Sequence, residues 1–161
     1  MKASHALGAP IVAVVLACGA AAAAETAGDY ATDLATVYSG YQRMLAMKDA
    51  CDAAVPEARA ANAQAYVEWQ ARHRALIQDL RRRVDTMIRR ASQDEKEYAR
   101  NLGKYEGAIL HERQEYRQLL LRLDADVLRD RCQRLPELLK EPGAELEKAY
   151  AAELKTIRGR K

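Results

Sequence analysis

The chain has 161 residues, a mass of 18.0 kDa and a formal net charge of +3, with 30% of its residues charged. A length of this order fits one domain. Hydrophobic residues make up 49% of the chain, but there are eight tyrosines and no phenylalanine. The predicted core is therefore modest and rich in alanine and tyrosine. The small positive charge gives no reason to expect a nucleic acid as partner.

The N-terminal segment has the pattern of a signal peptide. Lys2 provides a positive start, residues 6–24 are apolar or small, and Ala22-Ala23-Ala24 offers small side chains for signal cleavage. We therefore predict that residues 1–24 are removed on export. Residues 25–161 would then form a single domain in the periplasm or outside the cell.

An alternative processing route stays open at the same segment. Val15-Leu16-Ala17-Cys18-Gly19 resembles a lipoprotein processing sequence, in which Cys18 would become the lipidated first residue. The apolar stretch contains Gly8 and Pro10 and does not reach the roughly 20 strongly apolar residues of a membrane span. We expect no transmembrane segment in the mature chain.

Hydrophobic residues at steps of three and four predict a first helix from about Tyr30 to Cys51 and a long second helix from Pro56 to Ala91. Gly40 weakens the first helix and allows a bend there. Proline is accepted in the first turn of a helix, so Pro56 marks the start of the second. The side of the second helix that faces the core contains Tyr66, Trp69, His73, Leu76, Leu80, Val84, Met87 and Ala91.

The apolar stripe continues beyond the second helix with little interruption, so a single rod from Pro56 to Cys132 has to be considered. We prefer a turn between Ala91 and Gly103, because a rod would leave the stripe without a partner helix. Ser92-x-x-Glu95 has the pattern of a capping box, and Gly103 that of a helix end.

A third helix then runs to about Arg134 and is stopped by Pro136. Glu141-Pro142-Gly143 predicts a turn, and a last, shorter helix starts at Glu145. Its acidic beginning and basic end both favour the helix dipole.

The two cysteines of the mature chain support this topology. In an up-down-up-down bundle the ends of helices one and three lie at the same pole, and Cys51 and Cys132 end those helices. A cysteine pair in an exported chain usually forms a disulfide. The predicted fold is an antiparallel all-α bundle of three long helices and a shorter C-terminal helix, tied by one Cys51–Cys132 disulfide.

Candidate chemistry is sparse. His73 lies on the apolar stripe, where a histidine in a bundle either is a hydrogen-bonded core residue or ligates a metal or haem. His111-Glu112-x-x-Glu115 lacks the second histidine of the zinc protease motif, which favours a solvated helix face.

We find no nucleophile motif, phosphate loop or metal-ligand set, and we expect neither an enzyme nor a cofactor.

Arginines form the best candidate for a functional surface. Arg81, Arg82, Arg83, Arg89 and Arg90 are predicted to lie away from the apolar stripe, where arginine suits the recognition of carboxylates or phosphates. The alternative is a solvated face neutralised by nearby acidic residues.

The sequence favours a non-enzymatic cell-envelope protein that acts through protein–protein interaction. An inhibitor, an adaptor, an immunity protein or a holdase would fit, and its unknown envelope partner would be acidic if the arginine surface is the binding surface. The competing hypothesis is a metal or haem carrier built in the bundle core around His73.

Overall fold

A computed structural model describes residues 29–160, which form eight α-helices and two short 3₁₀ turns. The predicted all-α bundle is confirmed. The 3₁₀ turns are Pro56–Ala58 and Pro142–Ala144. The helices are α1 (Tyr30–Ala54), α2 (Arg59–Arg72), α3 (Arg74–Arg90), α4 (Glu95–Leu121), α5 (Ala125–Gln133), α6 (Leu135–Leu138), α7 (Leu146–Ala149) and α8 (Ala151–Gly159).

The predicted signal peptide and the alternative lipidation site at Cys18 lie outside the described residues. Within residues 29–160, none of the helices combines the length and the apolar character that a membrane crossing requires.

Helix α1 is at the centre of the fold and contacts α2, α3, α4, α5, α7 and α8. Contacts of Tyr38 with Tyr105 and of Asp49 with Arg113 show that α4 runs in the same direction as α1. α8 runs in the opposite direction, because its end lies at Tyr30, the first residue of α1. The alternating arrangement of a bundle is therefore present, with α1 as the shared helix.

Small residues allow α1 to be approached from several sides. Ala46 and Ala50 are fully buried. At Gly40 the ring and the hydroxyl of Tyr150 occupy the space that a Cβ atom would need. The predicted weak point at Gly40 is therefore a site of close packing, and α1 continues through it as one helix.

The predicted single helix from Pro56 to Ala91 is wrong in one respect. A 3₁₀ turn begins at Pro56, and the helix that follows is divided into α2 and α3 at His73. The stripe itself is confirmed, since its residues from Tyr66 to Val84 are buried. Ala91, at the end of the stripe, is exposed.

The turn between α3 and α4 lies within the predicted interval, but its cap differs. Asp94 is the N-cap residue and its side chain accepts a hydrogen bond from the Glu97 backbone N–H at 2.7 Å. Ser92 instead donates to the carbonyl of Ile88. Gly103 does not end a helix, because α4 continues through it to Leu121.

The predicted third helix is also divided, at residues 122–124. Asp124 caps the new helix by accepting from the backbone N–H groups of Asp126 and Val127. The break shifts the phase of the apolar pattern by one residue. Val127 is 51% exposed, whereas Leu128 is buried.

The C-terminal region is more segmented than a single last helix. Pro136 lies in the first turn of the short helix α6, and α7 and α8 are separated at Tyr150. The indole N–H of Trp69 donates to the carbonyl of Ala144 at 2.8 Å, and Arg72 donates to the carbonyl of Leu139. These bonds fasten the C-terminal segment to α2.

The Cys51–Cys132 disulfide is present and joins α1 to α5 across 81 residues of sequence. Both cysteines are fully buried. The covalent link therefore closes most of the domain into one loop.

We predict that replacing both cysteines by alanine lowers the free energy of unfolding by about 2–5 kcal/mol, because the unfolded chain is no longer constrained by a long closed loop. Urea unfolding of the wild type and of the Cys51→Ala/Cys132→Ala variant measures the difference. Wild type kept under reducing conditions should show a similar loss. A difference below about 1 kcal/mol would contradict the prediction.

We predict that Gly40→Ala destabilises the fold by about 1–3 kcal/mol, since the new methyl group overpacks the contact with Tyr150. Gly107→Ala is the matched control within α4. The space that its Cβ would take is open to a distance of 4 Å, so alanine should stabilise it by up to about 1 kcal/mol. Thermal unfolding of both variants measures the opposite signs. In a Tyr150→Ala background, Gly40→Ala should no longer lower the stability, because the ring that the methyl group meets is gone. An unchanged loss of stability in that background would contradict the close contact.

Candidate functional site

The five arginines singled out from the sequence do not form one continuous surface. Arg81 faces α1 and lies beside a groove lined by tyrosines. Arg82, Arg83 and Arg90 line a separate cleft near the end of α8. The helical period distributes residues 81–90 over different sides of α3.

The groove, which we call the tyrosine groove, lies between α1, α3 and α4 and has a volume of about 580 Å³. Its walls contain four tyrosines, several aliphatic side chains and the charged residues Arg81, Asp85, Glu106 and Arg113. Leu110, at 59% exposure, is the most exposed large apolar residue in this lining. The aromatic and leucine side chains of the walls are Tyr38, Tyr41, Leu45, Tyr98, Leu102, Tyr105 and Leu110.

The tyrosines of the groove belong to a larger aromatic cluster. Tyr38 contacts both Tyr41 and Tyr105, with ring centroids 5.9 and 6.4 Å apart. Tyr41 in turn stacks on Trp69 at 6.3 Å. The groove therefore lies at the outer edge of the core, and its tyrosine walls pack against the buried ring of Trp69 through Tyr41.

Polar groups are placed at the same groove. The guanidinium of Arg81 lies 5.9 Å from the centroid of the Tyr41 ring and 3.4 Å from its hydroxyl. No carboxylate among residues 29–160 lies within 4.0 Å of that guanidinium. The Tyr105 hydroxyl is buried without a hydrogen-bond partner among the described residues, and burial raises the pKa of Tyr105 to about 12.

The second cleft has a volume of about 620 Å³ and lies between α3, the start of α1 and the end of α8. Two of its arginines are organised by one carboxylate. Asp79 accepts from Arg83 at 2.8 Å and from Arg82 at 3.2 Å. Burial raises the pKa of Asp79, but the hydrogen bonds and charges of these arginines outweigh it and hold that pKa below its ordinary value. We call this the arginine cleft.

Arg89 belongs to neither cavity and has a structural role. Its guanidinium lies 3.9 Å from the centroid of the Tyr98 ring and 3.2 Å from carboxylate oxygens of Asp85 and Glu95. It therefore connects α3 to the beginning of α4. The sequence-based interpretation of Arg89 as a partner residue did not foresee these contacts.

His73 lies at the α2–α3 junction and is 5% exposed. Its ring centroid is 4.8 Å from that of Trp69, and its Nε2 is 3.6 Å from a carboxylate oxygen of Glu145. Burial lowers the pKa of His73, while the charge of Glu145 acts in the opposite direction. His73 lines neither the tyrosine groove nor the arginine cleft.

The motif around His111 is divided between two environments. His111 and Glu115 are exposed and lie 3.4 Å apart on the surface of α4. Glu112 faces α1, where it accepts from Ser39 at 2.6 Å and from Arg43. Among the described residues, no group of three or more His, Cys, Asp or Glu side chains is arranged to hold a metal ion.

No protein-family model, curated protein or solved structure shows a significant match to this chain.

Sequence reasoning missed the tyrosine groove. The signal was present, because Tyr98, Leu102 and Tyr105 continue the apolar stripe into α4. Read as a stripe, these residues indicated core packing alone. Only the positions of α1 and α3 show that the stripe is half covered and leaves an open groove.

We predict that the stability of the fold decreases as the pH falls below about 6.5, the ordinary pKa of histidine, partly because of His73. Its pKa is lower in the folded chain, so below that pH the unfolded chain binds the proton more readily and is favoured. Urea unfolding at pH 7.5 and pH 5.5 should show a smaller loss for His73→Gln than for wild type. The exposed His111→Gln variant is the control and should lose as much as wild type. An equal loss in all three proteins would contradict the role of His73.

Proposed function

We propose that this chain is an exported, non-enzymatic protein of the cell envelope that acts by binding another protein. The observation that supports the proposal best is the tyrosine groove with Arg81 at its side. Tyrosine and arginine are enriched at protein interfaces and among the residues that dominate binding energy. They provide large contact areas that also carry hydrogen-bonding groups.

The groove favours a particular kind of partner segment. Grooves between helices bind amphipathic helices, whose apolar side chains enter the groove. Tyr98, Leu102 and Leu110 provide apolar contact area for such side chains. Arg81 has no described carboxylate partner, so an acidic residue of the partner would satisfy it. The proposed partner segment is therefore amphipathic and carries a carboxylate beside its apolar side.

The proposal places the arginine contribution at Arg81. Arg89 is excluded from the binding surface, because its guanidinium is already engaged by Asp85, Glu95 and Tyr98. Replacing Arg89 would remove these contacts between α3 and α4, so Arg81 is the arginine chosen to test the groove.

We predict that Leu110→Asp abolishes partner binding without affecting the fold, because it places a charge on the apolar rim of the groove. Leu119→Asp is the matched control, since Leu119 belongs to the same helix, is 60% exposed and lies outside the groove. Exposed substitutions of this kind usually change stability by no more than about 0.5 kcal/mol. Thermal unfolding of both variants checks this requirement.

Binding is measured by capturing envelope proteins with immobilised wild type and with each variant, followed by quantitative mass spectrometry. A partner of the groove should be lost with Leu110→Asp, retained with Leu119→Asp and reduced with Arg81→Glu. If every protein captured by wild type is also captured by Leu110→Asp, the groove is not the binding site. Loss with both aspartate variants would indicate non-specific adhesion.

A further inference from the structure

The arginine cleft is independent of the tyrosine groove and has a different chemistry. Six of its lining residues define its character: Tyr30, Arg82, Arg83, Met87, Arg90 and Arg160. Four of these are arginines, and Asp79 is the carboxylate in the lining. The cleft therefore concentrates positive charge in a small volume, which attracts anions.

Arg83 fixes the shape of the cleft. Its Nε donates to Asp79 at 2.8 Å, and its Nη1 donates to the carbonyl of Ile157 at 2.9 Å and lies 3.4 Å from that of Arg160. The side chain thereby binds α3 to the last turn of α8 and is mostly buried. Arg83 is thus a positioning residue that holds the end of α8 beside α3.

Arg160 is positioned at the cleft by a second contact, which comes from α1. Its guanidinium lies 5.8 Å from the centroid of the Tyr30 ring at the start of α1. A cation over an aromatic face is attracted by the ring quadrupole. The backbone contact with Arg83 and the contact with Tyr30 bring a residue remote in sequence into the same cleft as Arg82 and Arg90.

The charge of the cleft is only partly neutralised. Asp79 is shared by Arg82 and Arg83. No carboxylate among residues 29–160 lies within 4.0 Å of the guanidinium of Arg90 or of Arg160. Among residues 29–160 neither of these two guanidinium groups donates a hydrogen bond, and Arg82 donates one to Asp79, which leaves donors of all three arginines for a ligand within the described part of the chain.

We propose that the arginine cleft binds a phosphoryl group, either as a free phosphate ester or as the phosphate of a lipid headgroup. A phosphate monoester carries a charge of about −1.5 to −2 at neutral pH and three strong acceptor oxygens. A carboxylate offers one charge and two oxygens. A guanidinium group can donate two parallel hydrogen bonds to two phosphate oxygens. The three arginines with free donors, Arg82, Arg90 and Arg160, therefore match a phosphate better than a carboxylate. Met87 and the Tyr30 ring provide apolar surface for the organic part of the ester.

The test uses phenyl phosphate as the free ester and, separately, phosphatidylcholine vesicles with and without phosphatidic acid. Calorimetric titration of the wild type should show binding of phenyl phosphate that weakens with salt. The Arg90→Gln/Arg160→Gln variant should bind at least tenfold more weakly. The matched control is Arg74→Gln/Arg122→Gln, which removes the same charge from two exposed arginines outside the cleft, and it should bind like wild type.

Each outcome decides the proposal. Binding of phenyl phosphate supports a free ester as the ligand, and binding to phosphatidic acid vesicles alone supports a lipid headgroup. In both cases the Arg90→Gln/Arg160→Gln variant has to lose the binding. The proposal is overturned if wild type binds neither probe. It is also overturned if the Arg74→Gln/Arg122→Gln control loses as much affinity as the cleft variant. Benzoate binding as tightly as phenyl phosphate would overturn the choice of phosphate over carboxylate. Leu110→Asp should bind phenyl phosphate normally, which separates this site from the tyrosine groove.

Discussion

The close approach of several helices to α1 is the constraint on which the rest of the structure depends. A helix with large side chains all round holds its neighbours at a distance, whereas α1 presents Gly40, Ala46 and Ala50 at its contacts. Tyr150 occupies the space that a side chain at position 40 would fill. Close packing of this kind increases dispersion contacts, which compensates for the small side chains of the core. The disulfide at Cys51 then fastens the same helix covalently to α5.

Tyrosine as the main aromatic residue has consequences for the surface. A phenylalanine core could close completely, but each tyrosine carries a hydroxyl group that requires water or a partner. The Tyr41 hydroxyl meets this requirement although the residue is buried, because it accepts hydrogen bonds from Gln70 and Arg81. Tyr38 and Tyr105 also line the tyrosine groove, where the Tyr105 hydroxyl is buried without a hydrogen-bond partner among the described residues. The use of tyrosine therefore places hydroxyl-bearing rings in the walls of the tyrosine groove.

Within a short stretch, helix α3 contributes residues to three places: the tyrosine groove, the arginine cleft and the contact with α4. Arg81 and Val84 face the tyrosine groove, while Arg82 and Arg90 face the arginine cleft. Arg89 is turned toward Asp85 and the start of α4. The period of 3.6 residues per turn explains this distribution. Arginines adjacent in sequence therefore have different roles, although they look alike in a charge pattern.

The sequence by itself determined the helical class, the apolar side of the first and second predicted helices and the pairing of the two cysteines. Periodicity indicates the buried side as long as a helix is continuous, and Cys51 and Cys132 could meet only if helices one and three shared a pole. The breaks at His73 and at residues 122–124 became visible only in the tertiary structure, in which Asp124 caps α5 and Leu128 is buried in place of Val127. Gly40 was interpreted as a weakness, because a glycine has no local signal for the neighbour that packs on it. Gly103 was interpreted as a helix end, although α4 continues through it with open space on its side. The two cavities also required the tertiary structure: Tyr30, Arg82 and Arg160 are brought together only when α8 returns along α1.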